Sequence, residues 1–224
     1  MILAADDAAR NGLGVVELAD RLGADKSQLS RALQTLDEQG FVERDPETLT
    51  YRLGWRLFAL AARAGDARLL VQAPPVLRAL VGEVGESAHL SVRVGASVLT
   101  LLSESPETTI HAPGRVGSLT PLGTTSAGRV LALDVAVGDL AAWGLAGAAA
   151  AIEEAHRRGY AIVREEFEPG LVAAAAPVRD GHGRVVAAVN ISAPRYRLDD
   201  ARLEAAAQRV AAAAATLSAA LGPL

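Results

Sequence analysis

Hydrophobic residues fall on a helical period twice in quick succession near the start of the chain. Val15, Leu18, Ala19 and Leu22 share one face of a short segment that stops at Gly23, a residue suited to the left-handed conformation past a helix end. A second stripe, Leu29, Ala32, Leu33 and Leu36, keeps the i, i+3, i+4, i+7 spacing of a helix with one buried face. Asp25 stands where an N-cap is needed, and Gln28 three positions on completes a capping-box pattern. The opposite face then carries Lys26, Ser27, Gln28, Ser30, Arg31, Gln34 and Thr35. All are donors or donor-acceptors and none is acidic, which is the chemistry that meets phosphates and base edges in a DNA major groove. Beyond Gly40, residues 41–44 and 49–53 alternate apolar with polar around Asp45-Pro46-Glu47-Thr48, a strand-turn-strand signal. Two helices, a tight turn and a hairpin make the outline of a winged helix-turn-helix. Arg44 and Arg52 on the hairpin, with Arg56 just after it, are expected to reach the DNA backbone. A plain helical packing motif with solvated arginines shares the pattern.

The periodicity continues as a helix over 55–64, with Leu57, Phe58, Leu60 and Ala61 available for burial, ending near Gly65-Asp66. This is read as a linker helix. Another helix is expected around 71–84, with Pro74-Pro75 near its start, where missing N–H groups are tolerated. The pattern then changes to alternation. Residues 88–94 and 97–102 flank Gly95-Ala96, and residues 171–178 and 184–192 flank Asp180-Gly181-His182-Gly183, predicting two hairpins. Helical segments are expected at 126–134, 148–158 and 199–221. The sum is an antiparallel sheet with flanking helices, an α+β fold. The division expected is a winged helix-turn-helix domain over 1–54, a linker helix over 55–68 and a second domain over 69–224. Leu203, Val210 and Leu217 recur every seven residues among alanines, which suits burial against the domain's own sheet or a dimer seam.

Composition narrows the chemistry. The net charge is −4, and the first 65 residues hold eight Lys and Arg against ten Asp and Glu, so no bulk positive field marks a nucleic-acid binder. The local distribution matters more. Lys26, the only lysine in the chain, and Arg31 stand in a stretch, 26–36, that lacks any carboxylate. With no Cys, disulfides, thiolate nucleophiles and Cys-based metal sites are excluded, and the four His lack any metal-ligand spacing. Gly-rich phosphate loops are absent, so no cofactor is expected. No signal-type segment opens the chain and no apolar run is long enough to span a bilayer, so a cytoplasmic protein without a membrane partner is the expectation. Thr124-Thr125-Ser126-Ala127-Gly128 is a near miss to the G-x-S-x-G nucleophile elbow, with His111, His156 and His182 as candidate bases. Thr124 replaces the first glycine and would crowd the turn. A hydrolase using Ser126, or an interaction module that binds no DNA, are the alternatives to a DNA-binding regulator.

Several strings together resemble IclR-type (isocitrate lyase regulator type) transcriptional regulators. In the first part these are Glu17-Leu18-Ala19, the stretch from Ser27 to Arg31, Leu33-Gln34-Thr35-Leu36, Gly40-Phe41-Val42 and Tyr51-Arg52-Leu53-Gly54. In the second they are Gly85-Glu86-Ser87-Ala88-His89-Leu90, Val116-Gly117-Ser118 with Pro121-Leu122, Arg158-Gly159-Tyr160-Ala161, Arg164-Glu165-Glu166-Phe167-Glu168-Pro169-Gly170, Ala175-Ala176-Pro177-Val178 and Ser192-Ala193-Pro194. The resemblance covers nearly the whole chain. It implies a GAF-like effector domain, no catalysis, a homodimer or dimer of dimers, and ligand-controlled binding to a palindromic double-stranded DNA operator. It also leaves residues 1–10 to form the family's first helix, so that either the start is truncated or this member lacks the contacts of a preceding arm.

Departures from the family pattern bear on the small-molecule effector. Thr124-Thr125-Ser126-Ala127-Gly128-Arg129 stands where the family usually has Ala-Thr-Ala-x-Gly-Lys. The N–H groups of Ser126, Ala127 and Gly128, with the Thr125 and Ser126 hydroxyls, suit either a cradle for a carboxylate or carbonyl oxygen or simple N-capping. Family members that recognise small oxo-acids carry Asp and Cys near the positions of Val163 and Ala173. A wall of Val163, Val172, Ala173 and Val189 would instead favour a ligand with a hydrophobic or aromatic body and one polar end. Asn190, Ser192 and His89 are candidate orienting groups, and a lone strand histidine also has ordinary structural uses.

Overall fold

The computed structural model describes residues 12–61, 67–106 and 116–222, and the chain divides into two units, Met1–Ala67 and Arg68–Leu224. In the first unit Val15–Leu22 forms α1, and Gly23 ends it at φ +61°, returning its N–H to the last turn. Lys26–Glu38 forms α2. The Asp25 carboxylate caps it, accepting from the N–H groups of Ser27 and Gln28 at 3.0 and 2.9 Å. Val42–Arg44 (β1) and Tyr51–Leu53 (β2) pair antiparallel as the wing. Leu13, Leu18, Leu33, Val42 and Tyr51 form the core, with Val15 and Leu29 packed against it. Two members of the expected α2 stripe lie outside it: Ala32 is exposed and Leu36 is 40% exposed. Among the described residues this core meets only the Leu29–Leu33 ridge of the helix. Trp55–Ala61 forms α3, and the rest of the expected linker helix falls outside the described residues, as does the helix expected over 1–10.

In the second unit α4 spans Ala67–Val84, so it starts earlier than expected and holds Pro74 and Pro75 in its interior. Each proline removes a backbone hydrogen bond and costs on the order of 3 kcal/mol. Leu69, Leu77 and Leu80 are buried along one face with Ala73, and three leucines at about 2 kcal/mol each offset that loss. Strands follow at Ser87–Val94 (β3), Ser97–Glu104 (β4) and Leu119–Pro121 (β5). After helices Ser126–Leu131 (α5), Val137–Ala142 (α6) and Ala149–Arg158 (α7) come Ala161–Arg164 (β6), Leu171–Arg179 (β7), Val185–Pro194 (β8) and the helix Asp200–Leu221 (α8). The six strands form one antiparallel sheet in the order β5-β4-β3-β8-β7-β6. The sequence pattern misses β5 and β6, whose three and four residues are too short to display a period.

Strand alternation sends side chains to two different cores. One face buries Ala88, Leu90, Val172, Ala174, Val189 and Ile191 with α4 and α8. Leu203, Val210 and Leu217 of α8 lie in that same core, so their seven-residue recurrence serves the chain's own sheet rather than a dimer seam. The other face packs Ala161, Ala175 and Ala188 with α5 and α7, and beside that packing it opens into a pocket.

Candidate functional site

On the first unit, Lys26, Ser27, Gln28, Ser30, Arg31, Gln34 and Thr35 are all exposed on α2. Several are steadied along the helix. Arg31 donates Nε–H to the Ser27 carbonyl at 3.3 Å, which lays the guanidinium towards the first turn. Thr35 donates to the Arg31 carbonyl and Gln34 to Glu38. In the wing, Arg44 sits over the Tyr51 ring at 5.8 Å, and Arg52 pairs with Asp45 at 3.1 Å. Asp45 also accepts from the N–H groups of Thr48 and Glu47; those bonds, that of Thr48 first, hold its carboxyl below the usual carboxylate range. Arg52 is thus part of the turn's own bracing. Arg56 departs further from expectation: it donates to the Gln39 carbonyl at 2.9 Å and lies over the Phe41 ring, turned back on α2 rather than outward.

The pocket of the second unit lies on the sheet face opposite α4 and α8. His89 and Ser91 of β3, Asn190 and Ser192 of β8, Ala173 and Leu171 of β7, and Val163 of β6 share that face by strict alternation across the register. Thr125, Ser126 and Ala127 close it from α5, with Val98, Thr100 and Thr120 on the far side and Phe167 above β7. Among the described residues no Asp, Glu, Lys or Arg lines it. His89 Nε2 meets the Ser192 hydroxyl at 3.2 Å, and the Ser91 hydroxyl donates to Asn190 Oδ1 at 3.0 Å, two diagonal cross-strand pairs that fix the polar groups of the wall. The water-accessible space is about 60 Å³.

Three of the expected effector residues are corrected. Val172 points into the opposite core, as does Val189, because each is one residue out of phase with the lining positions. Gly128 is a packing residue: a Cβ there would stand 1.9 Å from the Leu122 carbonyl oxygen, and its N–H is taken by the Thr125 hydroxyl at 3.1 Å. Thr125 therefore is the N-cap of α5, its own hydroxyl donating to the Pro121 carbonyl, as well as part of the wall. Ser91, Val98, Thr100, Thr120, Leu171 and Phe167 escaped the sequence reading. Alternation from His89 points to Ser91, and from Ala173 to Leu171; nothing in the sequence points to Phe167.

Phe167 follows two glutamates that are each held by an ion pair. Glu166 pairs with Arg129 of α5, which also donates to the Ile162 carbonyl. Glu165, in the left-handed region at φ +59°, accepts from the Gly170 N–H and pairs with Arg195. Arg195 and then Arg164 also draw the Asp200 carboxyl down to about 2. Two of the three bases expected for a Ser126 nucleophile are not brought to it. Ser126 is buried beside the pocket, whereas His156 on α7 and His182 in the β7–β8 turn are exposed and line no part of it; His111 lies outside the described residues. Among the described residues no group of His, Asp and Glu is arranged to hold a metal, and no helix is long and apolar enough to cross a membrane.

Comparison with known proteins agrees with both units. Residues 1–46 match the IclR helix-turn-helix domain, and residues 147–219 match the bacterial transcriptional regulator IclR C-terminal domain. The HTH-type transcriptional regulator BhcR of Paracoccus denitrificans is 32% identical over 235 residues, covering 96% of this chain and 83% of that protein. XynR of Escherichia coli, also an HTH-type transcriptional regulator, is 28% identical over 94% of this chain and 90% of its own length. Among solved structures, an IclR regulator from Alicyclobacillus acidocaldarius superposes with a TM-score of 0.80 at 24% identity, over 98% of this chain and 94% of that one. An IclR homologue from Microbacterium hydrocarbonoxydans, complexed with 4-hydroxybenzoate, superposes with a TM-score of 0.79 at 23% identity, over 95% and 92%. The chain belongs to the IclR family of DNA-binding transcriptional regulators.

Proposed function

We propose that this chain is a ligand-responsive, non-enzymatic regulator that reads a palindromic operator as a dimer and senses a small carbonyl or carboxylic compound in the pocket of its second unit. The exposed face of α2 over residues 26–36, which hold no carboxylate, carries the first part of this reading, with Arg31 and Gln28 on base edges and Lys26 on phosphate. Ser27, Ser30, Gln34 and Thr35 flank them, and Arg44 and Arg52 serve the backbone from the wing. One short helix with two cations neutralises too few phosphates for specific binding among competing genomic sites, so two copies must act together. The surface of α3 supports pairing: Trp55 is 75% exposed, Leu57 38% and Leu60 44%, more apolar area than a solvated connector needs. A ligand that changes the spacing of the two recognition helices then needs only about 1–3 kcal/mol of coupling to regulate.

The pocket's dimensions bear on the effector. A space of about 60 Å³ is well short of the ~150 Å³ that accommodates benzene, and suits on the order of four water molecules or a ligand of similar size. The described lining combines hydroxyls, an amide and an imidazole with Val163, Ala173 and Leu171, without a fixed charge. We read the effector as a short, partly apolar oxo or hydroxy acid. An aromatic acid, such as the 4-hydroxybenzoate bound by the Microbacterium homologue, requires more space than this. Thermal-shift titration with a series from two-carbon oxo acids to 4-hydroxybenzoate tests this. The expected result is a shift from the short members, reduced at least about tenfold in affinity by Ala173→Leu, whose added methylenes fill the space. Equal affinity of the wild type and that variant would put the ligand elsewhere, and turnover of a bound compound abolished by Ser126→Ala would contradict the non-enzymatic reading.

A further inference from the structure

We infer that Arg56 is the positioning residue that couples the linker helix to the recognition helix, so that a movement of α3 is delivered to α2 instead of being absorbed at the intervening turn. This inference rests on the proposed regulatory reading. The C-terminal end of α2 lacks the charge that helix ends favour: its last turn holds no basic residue and instead carries Asp37 and Glu38. The missing cation comes from the next helix. Arg56, in the first turn of α3, donates Nη1–H to the Gln39 carbonyl at 2.9 Å and to Gln39 Oε1 at 3.2 Å, while its guanidinium stands 5.2 Å from the Phe41 ring centroid. A charge-assisted bond to a terminal carbonyl combined with cation–π stacking fixes both the position and the plane of the guanidinium.

The backbone repeats the same grip. The Gly54 N–H donates to the Phe41 carbonyl at 2.9 Å and the Arg56 N–H to the Gly40 carbonyl at 3.2 Å. Gly54 itself lies so close that a Cβ there would stand 2.2 Å from the Gly40 oxygen. Gln39, Gly40 and Phe41, which terminate α2, are thus clasped by the residues that start α3. A hinge here would have to break the charge-assisted guanidinium contacts as well as two neutral backbone bonds, each about half as strong. The cheaper response to a pull on α3 is for α2 to follow, turning its exposed face relative to the DNA.

The test uses the full-length protein and an operator it selects itself from a random-sequence duplex library, in versions with one base pair added or removed between half-sites. Wild type is expected to lose about 20-fold or more in affinity on a one-base-pair change, because rigidly held recognition helices cannot re-space. Arg56→Met, which keeps the stem but loses the donors and charge, should lose about threefold or less on the same change, with Arg56→Lys between the two. A thermal melt and binding to a single half-site accompany each variant. If Arg56→Met keeps the wild-type spacing ratio, or weakens all spacings and the half-site alike, the residue merely supports the fold and the inference is wrong. A wild type indifferent to spacing overturns it too. Failure of the wild type to retain any duplex from the library would instead overturn the proposed DNA-binding function.

Discussion

Replacing Gly128 with alanine is expected to destabilise the second unit by about 3 kcal/mol and to abolish ligand binding, although no glycine side chain exists to touch a ligand. A Cβ at this position would stand 1.9 Å from the Leu122 oxygen, 2.5 Å from its carbonyl carbon and 2.6 Å from its Cα. All three are backbone atoms, so no rotamer change can relieve the clash. Either α5 slides away from the turn at Leu122, or the turn retreats and takes buried Leu122 with it. Sliding α5 also moves Thr125, Ser126 and Ala127, which form one wall of the pocket. The loss should appear as a fall in melting temperature of roughly 6–12 °C for a unit of this size. Gly138→Ala in α6 is the matched control: its Cβ meets nothing within 4 Å, and it should be neutral or slightly stabilising. Wild-type melting of Gly128→Ala would mean that the close approach of α5 to this turn is wrong.

Arg197→Met should cost nearly as much for an electrostatic reason. Glu86, between α4 and β3, has a side chain only 7% exposed, and Arg197 meets it with two bonds at 2.9 and 2.7 Å. Removing the guanidinium leaves a buried carboxylate unpaired, a change that costs about 3–5 kcal/mol where both partners are buried. The Arg197 side chain is 41% exposed, so water can enter after its loss and the expected cost falls to about 2–3 kcal/mol. The double variant Glu86→Leu with Arg197→Met should recover most of that loss, because an apolar pair removes the desolvation penalty at its source. Chemical denaturation of Arg197→Met, of Glu86→Leu alone and of the double variant measures the coupling. Additive losses in the double variant would show that Glu86 does not depend on Arg197.

The winged helix-turn-helix was legible because each of its parts leaves a local mark: Gly23 at a helix end, Asp25 at an N-cap, the Leu29–Leu33 spacing, and alternation about the Asp45 turn. The two central hairpins were legible for the same reason. Phase within β7 was not. A run of Leu171-Val172 followed by four alanines is apolar on both faces, so nothing marks which residues meet the pocket and which meet α8, and Val172 was assigned to the wrong side. Gly128 misled in another way, since a glycine beside hydroxyls suits an anion cradle as well as a close backbone approach, and only the position of Leu122 decides between them. Arg56 and Phe167 owe their roles to Gln39 and to the Arg129–Glu166 pair, contacts 17 and 37 residues apart in the chain that no local pattern encodes.

Sequence-specific DNA binding by the face of α2 is tested most directly by fluorescence anisotropy of full-length wild type, Arg31→Ala and Lys26→Ala on a library-selected operator across a salt series, with light scattering of the complex. The wild type is expected to bind as two copies per palindrome. Arg31→Ala should lose about 1–3 kcal/mol on that operator without loss of folding, and Lys26→Ala should weaken all sequences alike while lowering the salt slope by roughly one ion. Tight, sequence-specific binding that is unchanged by both substitutions, or that is carried by a single copy on one half-site, would contradict the assignment of DNA reading to this helix and of regulation to the spacing of two of them.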